Sequence, residues 1–590
     1  MDSKSLKDRI KKLEEKINSL PKGNIGKKTV KNNEYYYHRY NENGKRIEKY
    51  IDSSKVVDYK KRIEKRKILE LQLKESIKLL NYCDKSVKKE NKFISNVRIG
   101  KNLINYISSV KGFKKRECYK YLEDYIYGDS FDKVFILYGL RRTGKTTMIR
   151  QVILQMNNAD FMKTAFIQIS PKDTLDSVNK DLKRLESLGY KYIFIDEVTL
   201  MEDFIEGAAL FSDIYAASGM KIVLSGTDSL GFMFTKSNQL YDRCILVHTT
   251  FIPYREFYNV LGIKGLDNYI LYGGTMSCAG TNYNNVFDNV NEYVDSAIAK
   301  NIQHSLKYYD NENHFRNLYE LYEKNELTNV INRVVEDINH RFTKDVLIKK
   351  FKSNDLALSA RNLRMDRFNP TTVLDDINKE EVTLHLKKLL DILDSNERKI
   401  NLEEIHAIEI KEYLNLLDLI FEIEIRTIPV SNNIKKNTII TQPGLRYAQA
   451  KSLIASLLLD ETLNELDIKT KEYVLSRILS EIKGRMTEDL VLLETKMQYP
   501  SKEVFKLQFA VGEFDMVVFD PHTLSAEVYE IKHSTQIHPN QCRFLLDEEL
   551  INKTKFRYGD ITKRCVIYRG ETCSVGDIQY INVEEYLLFK

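Results

Sequence analysis

Apolar positions fall at helical spacing in some stretches of this chain and at strand spacing in others. Leu6, Ile10, Leu13, Ile17 and Leu20 recur at intervals of four and three, a heptad seam on one short helix. Pro21-Lys22-Gly23 stops it. Two aromatic, β-prone runs, Glu34 to Tyr40 and Lys45 to Ile51, then flank Asn41-Glu42-Asn43-Gly44, which predicts a β-hairpin. A long helix is predicted from about Ser53 to about Leu80, with Ile63, Leu69 or Leu73, Ile77 and Leu80 on one face, pairing back on the first helix. Three short apolar runs of strand length follow: Val134 to Tyr138, Tyr192 to Ile195, and Lys221 to Leu224. Between residues 311 and 460 helical patterns dominate, one holding Leu384 to Leu390 and another Ile405 to Leu417. Strand-like runs at Phe421 to Arg426 and Thr438 to Ile440 come next, and helices followed by two such strands suggest a winged-helix module. Beyond 460 the pattern predicts a helix from about Lys471 to Thr495. Strands over Gly512 to Phe519 and Val528 to Lys532 follow, around a Pro521-His522-Thr523 turn.

The ends of three of these strands carry chemistry. The first leads into Gly139-Leu140-Arg141-Arg142-Thr143-Gly144-Lys145-Thr146, a complete G-x-x-x-x-G-K-[ST] phosphate loop, and Thr147 continues into a helix. Glycines let backbone N–H groups close around phosphate oxygens, so Gly139 to Thr147 is the expected nucleotide cradle. Lys145 is expected to reach the β- and γ-phosphates, and the Thr146 hydroxyl to hold Mg²⁺. The second strand ends in Asp196-Glu197. In P-loop ATPases the first such acid completes the magnesium shell and the second polarises the attacking water, so Asp196 is the metal-side residue and Glu197 the general base. The third ends in Ser225-Gly226-Thr227. Ser225 or Thr227 is a candidate to touch the γ-phosphate or the water; a turn that only ends the strand is the alternative.

The run from Tyr138 to Thr147 resembles the archaeal-type AAA+ ATPases, which also occur widely in bacteria. So do Ser225-Gly226-Thr227, Asp242-Arg243-Cys244-Ile245-Leu246-Val247, Phe251 to Phe257, and the Tyr272-Gly273-Gly274-Thr275 turn. Asp242-Arg243 stands where family members usually have Gly-Arg. The resemblance covers roughly residues 101–310. It implies an α/β core with a five-stranded parallel sheet, a helical lid to about residue 310, ATP and Mg²⁺ as cofactors, and a homo-oligomer. It also implies that Arg243 senses or stabilises the γ-phosphate, in its own subunit or a neighbour's; a surface pair with an acid such as Asp242 is the alternative. Gln442-Pro443-Gly444-Leu445-Arg446 resembles the Asp-Pro-Gly-Leu-Arg run that closes the winged-helix module of such proteins.

A second constellation lies near the C-terminus. In Glu530-Ile531-Lys532 the acid and the lysine are two apart on a strand and project from one face. Asp515 on the neighbouring strand and Glu530 can chelate a hard divalent cation, Mg²⁺ or Mn²⁺. With Lys532 to orient or activate water, they form a hydrolytic phosphodiesterase site. Together with Glu488 on the preceding helix, the pattern resembles the restriction-endonuclease-like PD-(D/E)xK fold, which also commonly accompanies this ATPase family. The resemblance implies Glu488, Asp515 and Glu530 as metal ligands. His533 reads as structural or substrate-contacting.

At 590 residues the chain is expected to hold several domains. They are a basic helix–hairpin–helix segment (1–95), the ATPase core (96–250), the lid (251–310), a helical and winged-helix-like module (311–460) and the endonuclease-like domain (461–590). No apolar run reaches the ~20 residues of a membrane span, and Met1-Asp2-Ser3-Lys4 opens no signal peptide. Seven scattered cysteines without a C-x-x-C pair point to reduced thiols and a cytoplasmic protein, and away from a zinc module. Net charge changes the picture. Residues 1–100 carry 28 Lys and Arg against 14 Asp and Glu, or +14, while the remaining 490 carry −7. A basic segment on an acidic protein points to a polyanion, with Lys27, Lys28, Lys31, Arg39, Lys45 and Arg46 on phosphate and Tyr36 or Tyr40 stacking. A solvated docking or dimerisation arm is the alternative. The expected function is therefore an ATP-hydrolysing AAA+ protein acting on nucleic acid, DNA before RNA, with an ATP-gated nuclease site and work against phage or mobile elements. The alternative is an ATP-driven switch whose C-terminal domain docks DNA or a protein without cutting.

Overall fold

A computed structural model of the chain describes residues 3–275, 404–458 and 468–589, apart from 31–32, 43–44, 91–92, 131, 202, 228–231, 233–239, 241 and 432–434, and adds Val334, Val335, Ile338 and Phe342. The predicted helix at 384–390, the lid beyond residue 275 and Lys31 lie outside the described residues. The fold is mixed α/β. Two compact units form, one from residues 1–137, 145–226 and 235–247 and the other from 138–144, 227–234 and 248–590.

In the first unit, helix α1 (Ser3–Asn18) precedes strands β1 (Asn24–Val30), β2 (Asn33–Glu42) and β3 (Lys45–Ile51), and helix α2 (Val56–Glu90) follows. The predicted hairpin is the β2–β3 pair, but β1 adds a third antiparallel strand. Its Asn-Ile-Gly-Lys-Lys-Thr-Val sequence lacks apolar alternation because it is an edge strand, where lysines discourage further pairing. Helix α2 also runs on past Leu80. Leu6, Leu13 and Ile17 are buried. Arg66 of α2 donates from Nη1 to the Ile17 and Leu20 carbonyls at 2.7 and 2.6 Å, satisfying acceptors that the end of α1 leaves open.

The same unit carries six strands: β4 (Asn96–Arg98), β5 (Val134–Tyr138), β6 (Thr164–Gln168), β7 (Tyr192–Asp196), β8 (Lys221–Gly226) and β9 (Cys244–His248). Their order is β4-β6-β7-β8-β5-β9. Strands β6, β7 and β8 pair in parallel, as expected, whereas β4 is a sixth strand running antiparallel on β6. The apolar runs of β5 to β8 are buried because helices cover the sheet. Leu103 and Ile107 of α3 (Gly100–Ser108), Leu122 of α4 (Tyr119–Tyr127), and Met148, Ile149 and Val152 of α5 (Lys145–Gln155) pack with Phe135, Phe166, Phe194 and Val223 of the strands. Helix α6 (Leu175–Ser187) is amphipathic and buries Val178, Leu182 and Leu185.

The second unit contains two short helices in the stretch expected to form the lid, α7 (Tyr254–Asn259) and α8 (Leu266–Tyr272), then α9 (Glu404–Leu416), β10 (Ile420–Ile428), β11 (Lys435–Ile440), α10 (Pro443–Leu458) and α11 (Ile468–Gln498). Strands β12 (Glu503–Phe509), β13 (Glu513–Asp520) and β14 (Ser525–Ile531), helix α12 (Glu548–Tyr558), strands β15 (Asp560–Tyr568), β16 (Cys573–Val575) and β17 (Ile578–Asn582), and helix α13 (Val583–Leu587) complete it. All eight strands form one sheet, ordered β11-β10-β12-β13-β14-β15-β17-β16. That order corrects the expected boundary at 460. The two strands read as a separate wing are the edge of the C-terminal sheet, because β10 pairs in parallel with β12 from Ile425–Lys506 to Ile428–Phe509. Among the described residues no helix is long and apolar enough to cross a membrane.

Candidate functional site

Strand β5 delivers the chain into the glycine-rich loop, where Gly139, Arg142 and Gly144 take φ values of 140°, 65° and 91°. Position 139 has no room for a side chain: a Cβ there would lie 2.4 Å from the Thr249 carbonyl oxygen. The loop braces itself. The Thr143 hydroxyl donates to the Leu140 carbonyl at 2.8 Å and lies 2.9 Å from the Thr249 hydroxyl. Leu140 and Thr143 are buried, and Arg141 and Thr147 are half-buried. Lys145, also buried, opens α5.

Two strands away in the sheet, the predicted metal-side acid meets the loop's threonine. The Thr146 hydroxyl donates to Asp196 Oδ2 at 2.8 Å. The other oxygen, Oδ1, accepts the Ser225 hydroxyl and the Glu197 backbone N–H, the latter at 3.2 Å. Ser225 is wholly buried, and its hydroxyl is spent on Asp196. Glu197 leaves the strand in the left-handed conformation, φ 59°, which turns its side chain out of the strand register. Two hard oxygens 2.8 Å apart on separate elements suit a magnesium ion, which the hydroxyl can meet with a lone pair once its hydrogen turns away from Asp196.

Arg243 is not at this centre. Its carbonyl accepts the Val134 N–H at 3.0 Å, at the start of β5, whereas the loop leaves the far end of that strand. Five strand residues span about 13 Å at ~3.3 Å each. The Arg243 guanidinium pairs with Asp213, while Asp242 pairs with Lys133 at 3.2 Å. Within its own chain Arg243 is a surface ion pair, with a different acid from the one the sequence suggested.

In the second unit, β13 and β14 pair antiparallel with Met516 opposite Tyr529, which sets Asp515 beside Glu530. Lys532 Nζ lies 2.9 Å from Asp515 Oδ2 and 2.5 Å from Glu530 Oε2. Asp515 Oδ2 also accepts the Ile531 N–H at 2.8 Å. Both acids are buried, and Glu530 Oε1 has no hydrogen-bond partner. Burial, helped by the Asp515 charge, pushes Glu530 up to about 9. Burial works against the Asp515 charge too, but Lys532, Lys506 and the Ile531 N–H outweigh it and hold that carboxyl below its ordinary value. The Lys532 ammonium therefore stands where two acids converge, and one oxygen of Glu530 is left without a partner. That donor set fits a hard cation.

Glu488 stands beside this pair, close enough to Asp515 to feel its charge. Its Oε2 is taken by Arg485 at 2.6 Å and Lys506 at 3.3 Å, although burial and the Asp515 charge raise its pKa. Among the described residues no three acidic, His or Cys side chains are grouped to hold a metal as they stand. Lys506 is a member of this cluster that the pattern did not flag. Its signal was a lysine inside the apolar run Val504-Phe505-Lys506-Leu507, and it is buried.

The N-terminal cations are largely engaged. Lys28, Arg39 and Arg46 lie 2.8, 3.0 and 3.7 Å from Glu48 oxygens, and Lys27 pairs with Glu34, whose other oxygen takes the Tyr36 hydroxyl at 2.8 Å. The Tyr40 ring lies 4.8 Å from that of His38.

Residues 131–258 match a family described as an AAA domain. This stretch is thus similar to AAA-type P-loop domains. The AAA match takes in the phosphate loop, Asp196, Glu197, Ser225 and the first lid helix. Residues 3–61 match a domain of unknown function, DUF6788, which spans α1, the three-stranded sheet and the start of α2. No curated protein matches the sequence. Among solved structures, the Aeropyrum pernix ORC1 protein in complex with DNA is similar at 14% identity, over 58% of this chain and 92% of that one, with a TM-score of 0.19.

Proposed function

We propose that this protein binds and hydrolyses ATP in its AAA core and acts on nucleic acid, DNA in preference to RNA, through a metal-dependent phosphodiesterase site at Asp515, Glu530 and Lys532. The Thr146–Asp196 contact carries the first half, because it joins the helix opened by the phosphate loop to the end of β7 at 2.8 Å. Lys145 neutralises the β- and γ-phosphates, and Thr146 with Asp196 holds Mg²⁺. Glu197 orients and deprotonates water, and Ser225 keeps Asp196 aimed. Bound magnesium supplies charge neutralisation to the transferring phosphoryl group. At the second site Asp515 and Glu530 would hold Mg²⁺ or Mn²⁺, which would supply charge neutralisation at the scissile phosphate, while Lys532 orients water and balances charge on the phosphate. Arg243 contributes to phosphate chemistry only from a neighbouring subunit, in keeping with a homo-oligomer working in the cytoplasm.

One observation favours a second reading, an ATP-driven switch that docks DNA or a protein without cutting. Lys532 sits on both acids and Glu488 Oε2 pairs with Arg485 and Lys506, so the cation must displace existing partners. The test is cleavage of linear and circular DNA and of RNA in Mg²⁺ or Mn²⁺, with and without ATP, by wild type, Lys532→Ala and Lys145→Ala. Cutting that Lys532→Ala abolishes and Lys145→Ala uncouples from ATP supports the first reading. No cutting under any condition, with ATP-dependent retention of DNA, supports the second.

A further inference from the structure

Helix α8 of the lid places Asp267 at its second position. The Asp267 carboxylate accepts a hydrogen bond from Arg569 Nη2 and faces Lys483 of α11 at 3.4 Å. Arg569, one residue past β15, extends its other terminal nitrogen, Nη1, to within 3.1 Å of His533 Nε2. His533 directly follows Lys532. Backbone bonds fix that stretch against β15 and the residue after it, Lys532 N–H to the Ile567 carbonyl at 2.8 Å and Arg569 N–H to the Ser534 carbonyl at 2.9 Å. Helix α11 closes the other side: a Cβ at Gly484 would meet the His533 Cβ at 3.5 Å. One guanidinium thus spans from a lid helix to the residue beside the lysine of the carboxylate site.

Other lid contacts end elsewhere. Glu494 accepts the Tyr254 N–H and the Tyr269 hydroxyl, and Glu584 accepts the Tyr254 hydroxyl and the Leu266 N–H. Those bonds bind the lid to α11 and α13 without reaching Lys532. The Asp267–Arg569 pair reaches His533, the residue next to it, and its side chains are 42% and 25% exposed, so packing alone does not require it.

We propose that Asp267 and Arg569 are positioning residues through which the lid sets the place of His533 and hence of Lys532 between Asp515 and Glu530. The inference names the regulation of the phosphodiesterase site and rests on that reading for its output. Arginine is suited to the task because its planar fork holds two partners at once, which a lysine ammonium does not do with fixed geometry.

The test is hydrogen–deuterium exchange of the full-length protein over residues 530–534, with and without Mg²⁺ and a non-hydrolysable ATP analogue, run beside ATP-dependent cleavage. In wild type the analogue changes exchange over 530–534. Asp267→Asn and Arg569→Lys abolish that change and lower ATP-dependent cleavage about 10-fold or more, as loss of a supporting residue does. ATP turnover remains that of wild type. Lys483→Met, which leaves the guanidinium bridge intact, behaves as wild type. The link is overturned if Asp267→Asn keeps the full nucleotide response over 530–534, or if Lys483→Met loses it equally. A wild type that cuts nothing, with the exchange response still lost in Asp267→Asn and Arg569→Lys, sinks the phosphodiesterase reading and leaves the link standing. ATP-controlled cutting that Asp267→Asn does not alter sinks the link alone.

Discussion

Replacing Glu494 with glutamine should stabilise the second unit at alkaline pH. Glu494 lies in the apolar run Leu490-Val491-Leu492-Leu493 of α11 and is buried. Burial pushes its pKa up to about 7 from an ordinary 4.5, against the pull of the Tyr254 N–H, the Tyr269 hydroxyl and Arg255. A carboxyl whose folded pKa exceeds its unfolded value holds its proton more tightly when folded. Its contribution to stability is then complete below the unfolded value, falls as pH rises, and is lost above the folded value. Two and a half pH units of separation correspond to about 3 kcal/mol. Glutamine keeps an acceptor for Tyr254 and Tyr269, bonded at 2.6 and 2.9 Å, and carries no charge. The variant should therefore gain ~3 kcal/mol over wild type at pH 8 and under ~1 kcal/mol at pH 5. Calorimetric melting at the two pH values measures this, at roughly 1–2 °C per kcal/mol for a unit of this size. Equal shifts at both pH values, or a destabilised variant at pH 8, would show Glu494 to be ionised and paired, and the argument wrong.

Four further outcomes follow from the sites. Glu197→Gln should keep ATP binding and lose turnover by ~10²–10⁴-fold, read as phosphate release; normal turnover would move the base elsewhere. Ser225→Ala removes a donor from Asp196 and should weaken Mg²⁺-dependent ATPase activity ~10–100-fold in a magnesium titration, whereas an unchanged curve would make Ser225 mere filling. Lys532→Ala should abolish cleavage yet retain or tighten Mn²⁺ binding by calorimetry, since the ammonium competes for both acids; lost binding would show that the lysine builds the site. Arg243→Ala should cost less than ~1 kcal/mol of stability and leave the ATPase rate of dilute protein unchanged, and a collapsed rate there would contradict its placement at the far end of β5.

What the sequence reveals here depends on how far apart the partners are. The phosphate loop and Asp196-Glu197 are contiguous runs whose flanking strands are short and uniformly apolar, so motif and element support each other. Strand β1 was hidden because an edge strand needs no apolar face, and β4 because three residues carry no period. The pairing of Ile425 with Lys506 joins strands about eighty residues apart and leaves no local trace. Lys506, Glu494 and Asp267 were visible as residues but not as partners: a charge in an apolar run signals a buried contact without naming it. Arg243 shows the converse. A motif position implies a role, yet the backbone bond to Val134 decides which end of the sheet it occupies.

The placement of β10 and β11 also bears on how the chain matures. Both rims of the eight-stranded sheet are blunted, one by β16, three exposed residues long, the other by β11, which begins with two exposed lysines. Such rims resist recruitment of other copies. Starting the polypeptide at residue 461 would strip one guard and bare β12, with Phe505 and Leu507, as a sticky template. During synthesis the guard emerges well before the strand it protects, so β10 and β11 must wait, paired only to each other, until the ribosome releases residues 503–509. The C-terminal sheet is thus not a detachable cassette but the closing act of a fold begun near residue 404.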